Sequence, residues 1–173
     1  MEFVVRRATV DDAKEVVEVK TNVWFANYKG LMPECLLSNK VSTINDRVIK
    51  CALNIKENNN IYVALVENKI VGVMACGISK DDKYKNIGEI YFISVLEDFR
   101  RKGIGKELFL SGVKELISMG YNDMILNVLI GNNSIEFCRK FGGEKVEAKK
   151  EIFGNSLLEE YVMYFKNINE ILL

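Results

Sequence analysis

A run of basic residues followed by glycines has the residue types and spacing to bind a highly charged anion. Arg100, Arg101 and Lys102 precede Gly103-Ile104-Gly105-Lys106, and apolar residues then recur at close to helical spacing until Gly120. The first-turn N–H groups of a helix have no intrahelical partner, and glycines there let a ligand approach the backbone. The adjacent cations add Coulombic attraction. The segment is therefore predicted to bind a group such as a pyrophosphate.

Two less specific interpretations of this segment stay open. Gly-x-Gly is common in turns that bind nothing, and a basic run is often only a solvated loop. The known nucleotide motifs do not fit. A Walker loop requires Gly-Lys-Ser/Thr, and the dinucleotide fingerprint requires a third glycine where Leu108 stands.

The chain contains no histidine. This excludes Ser-His-Asp and Cys-His catalysis and histidine metal sites within it, so proton transfer must use carboxylates, tyrosines, lysines, thiols or water. The four cysteines are widely separated, with no Cys-x-x-Cys pair, so we expect no metal site and infer no disulfide. They are Cys35, Cys51, Cys76 and Cys138.

The element that must position the basic loop is the apolar stretch before it. Residues 90–96 are almost wholly apolar, β-branched or aromatic, which predicts a central strand buried on both faces. Glu89 lies at the start of this strand. A helix is predicted to follow from about Gly103, with Gly120 as its stop.

The rest of the chain is predicted to alternate strands and helices without repeats or linkers. A capping pair, Thr9 and Asp12, predicts a helix to about Tyr28, and Ser42 is predicted to cap a second helix with an apolar face that includes Ile49 and Leu53. Short helices are expected at 34–38 and about 135–141. The other predicted strands are residues 3–8, 61–66, 70–78, 123–130, 144–153 and 157–166.

The segment Arg100-x-x-Gly103-x-Gly105 is similar to the Gln/Arg-x-x-Gly-x-Gly/Ala signature of the GCN5-related N-acetyltransferase (GNAT) superfamily. The preceding Val95-Leu96-Glu97-Asp98-Phe99 resembles the family's Val-x-Pro-Glu-Tyr run, with Glu97 where proline is frequent. The resemblance extends over nearly the whole chain. It implies an α/β (α+β) fold over 1–173 as a single domain, with a central, mostly antiparallel mixed sheet of about seven strands and about four helices.

The resemblance also implies acetyl-coenzyme A as co-substrate. The loop would hold its pyrophosphate through Arg100, Arg101, Lys102, Gly103, Ile104, Gly105 and Lys106. The backbone of Ile93, Ser94 and Val95 would pair with the pantetheine arm like an additional strand. A backbone N–H there would polarise the acetyl carbonyl.

A second stretch, residues 131–143, resembles the family signature Asn-x-x-Ala/Ser-x-x-Phe-Tyr-x-Lys-x-Gly-Phe. Cys138 stands at the usual tyrosine, which implies a part in protonating the leaving thiolate, with core filling as the alternative. Gly131 stands where the asparagine belongs and Asn132 is one place closer, so Asn132 is expected to contact the cofactor or assist catalysis.

For the acceptor side, the resemblance implies that Glu89 is the general base, directly or through water, because a carboxylate among apolar side chains is a good proton acceptor. The alternative is a glutamate that only faces solvent. Trp24, Tyr28 and Glu34 are expected to line the acceptor side of the cleft, with core packing as the alternative for Trp24.

The predicted activity is acetyl transfer to a primary amine, with a small amine or polyamine favoured. An acidic group comprising Glu34, Asp81, Asp82 and Glu89 would attract ammonium, although neighbouring lysines oppose it. A protein or peptide N-acetyltransferase and a non-catalytic acyl-coenzyme A sensor are the alternatives. With 24 basic and 24 acidic residues the chain has no overall charge to attract nucleic acid or a membrane, so we expect neither partner. The amino terminus lacks the pattern of a signal peptide and no apolar run is long enough to span a membrane, so we expect a cytoplasmic location. A homodimer is the first assembly to test, since dimers are the commonest assembly of soluble enzymes.

Overall fold

The structure is a computed structural model that describes residues 1–28, 43–58, 60–130, 134–153 and 156–173. Its strands are β1 Val4–Arg7, β2 Ile61–Val66, β3 Lys69–Ile78, β4 Gly88–Val95, β5 Met124–Leu129, β6 Glu144–Phe153 and β7 Ser156–Phe165. Its described helices are α1 Ala13–Tyr28, α2 Ile44–Asn58, α3 Ile104–Ser118 and α4 Ser134–Lys140. The short helix predicted at 34–38 and the Ser42 cap lie outside the described residues.

The seven strands form a sheet in the order β1-β2-β3-β4-β5-β7-β6. β4 and β5 are parallel, whereas the β1–β2, β2–β3, β5–β7 and β6–β7 pairs are antiparallel. The predicted mixed, mostly antiparallel sheet with helices is therefore confirmed. No helix in the described part of the chain is both long enough and apolar enough to cross a lipid bilayer.

Backbone contacts divide the chain into two compact units. The first unit contains residues 1–75 and 93–109, and the second contains residues 76–92 and 110–173. β3, β4 and α3 each contribute residues to both units. The single acetyltransferase domain over 1–173 stays a prediction.

In the first unit a two-residue turn joins β2 to β3. Glu67 and Asn68 have φ of 49° and 62°, as a type I′ hairpin turn requires. Further along, the pairing shifts register after Ala64↔Gly72, which leaves an extra residue beside Gly72. A Cβ on Gly72 would lie 3.0 Å from Leu108 Cδ1, so glycine allows α3 to pack against this strand. Gly72 therefore lies both at a β-bulge and at a close contact between strand and helix.

The buried face of α2 differs from the predicted one. Ile49 and Leu53 are 60% and 51% exposed, whereas Ile55 is only 4% exposed. The prediction chose the buried face from helical spacing alone. Two neighbouring faces of this helix both contain apolar residues, so spacing does not tell which of them is buried. The expected buried positions of Ile49 and Leu53 were therefore wrong.

In the second unit a core cluster joins β5 and β7 to the segment before β4. Ile125 and Val162 are fully buried and pack in one cluster with Tyr84. A Cβ on Gly88 would lie 3.0 Å from the methyl carbons of Leu116, so glycine at the start of β4 permits close packing of this helix. Gly120, with φ of 91°, ends α3 as predicted.

Within the second unit, β4 and β5 pair only at their beginnings. The paired residues are Gly88 with Met124 and Glu89 with Ile125, although both strands continue beyond these positions. Gly88, Glu89 and Ile90 are buried, whereas residues 91–95 are only half-buried. The prediction that the strand is buried on both faces along its length was therefore wrong for its second half.

Candidate active site

The basic loop is a turn stabilised by its own backbone. Phe99 N–H donates to the Leu96 carbonyl at 2.9 Å, and Arg100 N–H donates to the Glu97 carbonyl at 3.1 Å. Arg101 and Gly103 then have positive φ of 60° and 87°, and α3 begins at Ile104. Turns with such residues before a helix N-terminus are typical anion-binding backbones.

Two of the loop's cations stabilise the loop itself. Arg100 Nε donates to the Val95 carbonyl at 3.1 Å and its Nη2 donates to Asn27 Oδ1 at 2.8 Å. Lys102 Nζ donates to the Asp98 carbonyl at 2.8 Å. Arg100 and Lys102 therefore hold the loop in its shape. The backbone N–H of Arg100, which was predicted to contact the ligand, already donates to the Glu97 carbonyl.

Arg101 and Lys106 are the loop cations available to a ligand. Both are exposed, and neither side chain has a polar partner among the residues that the structure describes. Together with the free N–H groups of the first turn of α3, they match the charge and hydrogen-bonding needs of a pyrophosphate.

The two glycines of the loop leave open space. A Cβ on Gly103 would meet nothing within 4 Å, and one on Gly105 would meet only Val95 Cγ2 at 3.9 Å. Positive φ explains a glycine at position 103, but neither packing nor φ requires one at 105. The free surface above Gly105 is therefore a place where a ligand can contact the backbone.

Glu89 is a buried carboxylate in the second unit. Only 7% of the residue is exposed, so the alternative of a solvent-facing glutamate is wrong. Its Oε2 accepts hydrogen bonds from Ser79 Oγ at 3.1 Å and from Lys80 N–H at 2.9 Å. These donors are neutral, and none of the ion pairs in the described chain involves Glu89.

The other oxygen of Glu89 faces Asn127 of β5. Asn127 Nδ2 lies 3.5 Å from Glu89 Oε1, too long for a strong hydrogen bond. Asn127 Oδ1 is buried without a partner in the described structure. A buried, unbonded carbonyl oxygen is costly, so this pair of oxygens is suited to accept N–H groups from a ligand.

Tyr91 lies on the same face of β4 as Glu89 because side chains two positions apart share a face. Burial, assisted by the charge of Glu89, raises the pKa of Tyr91 to about 12. Its hydroxyl donates to the Ile78 carbonyl at 2.7 Å, and Lys80 Nζ lies 4.1 Å from the centre of its ring. Tyr91 therefore stays protonated and is not a proton acceptor near neutral pH.

Cys138 is completely buried in α4, and burial raises the pKa of its thiol to about 12. A buried thiol of this kind donates a proton poorly, so its environment suits packing. Its role as an acid stays a prediction. Cys51 and Cys76 are also free thiols, and the described residues contain no cluster of three potential metal ligands.

The remaining predicted site residues are only partly described. Trp24 is half-buried in α1 with its ring edge-on to Phe25 at 6.4 Å, and Tyr28 ends the same helix. Glu34 and Asn132 lie outside the described residues. The substrate-binding and cofactor roles of these four residues stay predictions.

Sequence reasoning did not select Ser79, Asn127 or Asn27. Ser79 lies ten residues before Glu89, and Asn127 thirty-eight residues after it. The one available signal was Asn127 itself, a polar residue inside the predicted apolar strand 123–130. Its position beside Glu89 depended on the strand order, which the sequence did not reveal.

Comparison with known proteins assigns this sheet and loop to the acetyltransferase class. Residues 26–143 match the profile of the Acetyltransferase (GNAT) family. The chain belongs to this family, which confirms the resemblance and makes the protein an acetyltransferase.

Individual proteins are similar to this chain over nearly its whole length, one in sequence and two in fold. The chain is 27% identical to YuaI, an uncharacterized N-acetyltransferase of Bacillus subtilis, over 90% of its own length and 88% of the relative's. The structure of the PaiA N-acetyltransferase from Thermoplasma acidophilum in complex with coenzyme A superimposes with a TM-score of 0.74 at 21% identity, covering 96% of this chain and 99% of that one. The putative acetyltransferase yncA from Salmonella typhimurium, with its cofactor acetyl-CoA, gives 0.72 at 14% identity, covering 96% and 94%.

Proposed function

We propose that the protein transfers the acetyl group of acetyl-coenzyme A to a primary amine, a small amine or polyamine, and that Glu89 accepts the amine's proton. The observation that carries the proposal is the environment of Glu89. The carboxylate is 7% exposed and is hydrogen-bonded by neutral donors, without a cation in ion-pair contact among the described residues. A buried negative charge of this kind favours a cationic partner.

Two oxygens with free capacity to accept hydrogen bonds indicate how that partner is held. An ammonium group carries only donors, whereas Glu89 Oε1 and the buried Asn127 Oδ1 are both acceptors with free capacity. An amine placed there satisfies Asn127 and gives up a proton to Glu89, directly or through a water molecule. The neutral amine is then a nucleophile.

The basic loop in the first unit has the groups needed to bind acetyl-coenzyme A. Arg101, Lys106 and the first-turn N–H groups of α3 supply the charge and donors for a pyrophosphate, and Gly105 leaves room for it. The complexes of PaiA with coenzyme A and of yncA with acetyl-CoA support this assignment.

Acetyl-coenzyme A supplies an acetyl group activated as a thioester. A backbone N–H among residues 93–95 would polarise the acetyl carbonyl. The amine nitrogen forms the new bond to the acetyl carbon as the carbon–sulfur bond breaks, and the proton that the nitrogen then loses passes to the departing thiolate, directly or through water. A thiolate is a good leaving group, so the reaction does not depend on an enzymic acid in place of the family's tyrosine.

The test combines calorimetry with a thiol-release assay. We expect heat on addition of acetyl-coenzyme A, and thiol release with 1,4-diaminobutane, spermidine or another small primary amine in preference to a peptide with a free N-terminus. Cofactor heat with no thiol release for any amine would mean a sensor rather than an enzyme. Turnover confined to the peptide overturns the small-amine assignment, and an absence of heat overturns the cofactor assignment.

A further inference from the structure

Ser79 connects the segment after β3 to the buried carboxylate. It is 8% exposed, and its N–H donates to the Ile87 carbonyl at 2.9 Å. Its hydroxyl oxygen accepts the Asp81 N–H at 3.2 Å and lies 3.1 Å from Glu89 Oε2. Because the carboxylate can only accept when ionised, the single hydroxyl proton is directed to Glu89.

Asp81 is in turn held by strand β6. Its Oδ1 accepts the Lys83 N–H at 3.0 Å, which caps the short helix at 82–84, and its Oδ2 pairs with Lys149 Nζ at 3.2 Å. The two side chains of this pair are only 24% and 17% exposed. A partly buried pair fixes its partners better than an exposed surface pair does.

A second contact fastens the same segment to β6. Lys83 Nζ pairs with Glu147 Oε2 at 2.5 Å, and the Tyr84 hydroxyl donates to the same oxygen at 3.1 Å. Residues 79–84 are thus anchored at both Asp81 and Lys83. The position of the Ser79 hydroxyl is fixed from outside the strand that carries Glu89.

We propose that Ser79 is a positioning residue for Glu89, and that the Lys149–Asp81 pair holds Ser79 in place. By bonding Oε2, the Ser79 hydroxyl and the Lys80 N–H leave Oε1 facing Asn127 and the acceptor amine. The carboxylate then keeps one orientation for proton transfer. This proposal rests on the proposed function, in which Glu89 is the base.

Loss of the Ser79 hydroxyl has two consequences for Glu89. A hydrogen bond to the ionised carboxylate disappears, so ionisation becomes less favourable and the acidic limb of activity moves to higher pH. The side chain also gains freedom to rotate, which lowers kcat. The titratable groups around Glu89 and its neighbour Tyr91 are Cys76, Lys80, Asp81, Tyr121 and, through Asp81, Lys149.

The test compares Ser79→Ala with the control Ser118→Ala, whose hydroxyl bonds the Glu115 carbonyl at an exposed helix end. Thiol release is followed with the small amine of highest turnover from the panel above. We expect Ser79→Ala to lower kcat roughly tenfold, to leave the KM for acetyl-coenzyme A unchanged and to move the acidic limb to higher pH. Ser79→Thr, which keeps a hydroxyl, restores the pH profile.

A double-mutant cycle separates positioning from a general loss of structure. If Ser79 acts through Glu89, then Ser79→Ala adds no further loss of kcat to Glu89→Gln. The proposal is overturned if Ser79→Ala lowers kcat in the Glu89→Gln enzyme by the same factor as in the wild type. It is also overturned if the Ser79→Ala enzyme behaves like Ser118→Ala.

The ion pair is tested by Lys149→Gln against Lys150→Gln, whose own pair with Glu159 is exposed and 3.7 Å long. We expect the pH profile to move only for Lys149→Gln, and equal profiles overturn the part assigned to this pair. A Glu89→Gln enzyme with the full wild-type kcat overturns both the assignment of Glu89 as the base and this proposal. If Glu89→Gln strongly lowers kcat but Ser79→Ala leaves it unchanged, only this proposal is overturned.

Discussion

Arg100 is bonded to the carbonyl of Val95, five residues before it, through its Nε at 3.1 Å. This contact connects the basic loop to the end of β4, and a second contact, to Asn27, connects the loop to α1. The guanidinium therefore stabilises the shape of the loop. A preorganised loop binds an anion without having to be ordered first.

The first prediction concerns Arg100→Lys. A lysine cannot make both of these contacts because it has a single ammonium in place of a planar fork. We expect calorimetry to show acetyl-coenzyme A binding weakened by about tenfold although the charge is kept. Arg139→Lys, an exposed helix pair with Glu136, is the control and should bind normally. Normal binding by Arg100→Lys would contradict the positioning role.

The second prediction concerns the loop glycines. Gly103 and Gly120 both have positive φ and open space at the Cβ position, so alanine should destabilise the protein similarly at either place, by about 1 kcal/mol. Only Gly103→Ala should also weaken acetyl-coenzyme A binding. Gly105→Ala carries no φ strain, so we expect it to weaken binding without lowering the melting temperature.

Calorimetry and thermal unfolding of the three glycine variants separate ligand contact from stability. If Gly105→Ala binds acetyl-coenzyme A as tightly as the wild type, the cofactor does not contact the open surface at this glycine.

Local signals in the sequence were sufficient for most elements. The strand bounds 61–66 and 144–153 were predicted as observed, because hairpin turns and glycines mark strand ends. Thr9 and Asp12 marked the beginning of the first helical segment, where Asp12 accepts the Thr9 N–H at 2.7 Å. The basic loop was also evident, because its residues are contiguous.

Contacts between distant residues could not be predicted in this way. Ser79, Glu89 and Asn127 meet only because β4 lies between β3 and β5, and strand order has no local signature. The exposure of Ile49 and Leu53 likewise depends on which stripe of α2 faces its neighbours, a tertiary choice. Glu89 was thus selected by resemblance, and its hydrogen-bond partners were found only from the structure.

The third prediction concerns salt. Asp81 is paired with Lys149, and Asp82 with Lys85 at 3.1 Å, so two members of the acidic group expected to attract ammonium are neutralised. Glu89 remains. We measure kcat/KM for a cationic amine at saturating acetyl-coenzyme A while salt is added until the Debye length is about 8 Å. We expect kcat/KM to fall about two- to fivefold, a smaller fall than a site with several unpaired acidic residues would show. A flat profile, or a preference for anionic amines, defeats the cationic acceptor.

The fourth prediction concerns stability at low pH. Arg6 pairs with Asp12 through contacts of 2.6 and 3.0 Å, and this hydrogen bonding lowers the pKa of Asp12 from 3.8 to about 2, against the effect of burial. Since the folded pKa is depressed, the stabilisation is present above the unfolded pKa and is lost as pH falls through the folded pKa.

Asp12→Asn should therefore lower the free energy of unfolding by about 1–2 kcal/mol at pH 7, a value reduced for the partial exposure of Arg6. Urea unfolding should show the difference from wild type shrinking between about pH 4 and pH 2. Asp11→Asn, at the exposed neighbouring position, is the control and should change little. A difference that stays constant with pH would show that the ion pair is not its cause.

Proton transfer to Glu89 is tested most directly by the pH dependence of kcat/KM for Glu89→Gln, measured with the best small amine at saturating acetyl-coenzyme A. We expect a loss of roughly 100-fold or more near pH 7. The loss should shrink as pH approaches about 10, where a primary amine becomes neutral in solution. Glu159→Gln, an exposed change on β7, should match the wild type. A Glu89→Gln enzyme with the wild-type rate and pH profile would contradict the assignment of Glu89 as the base.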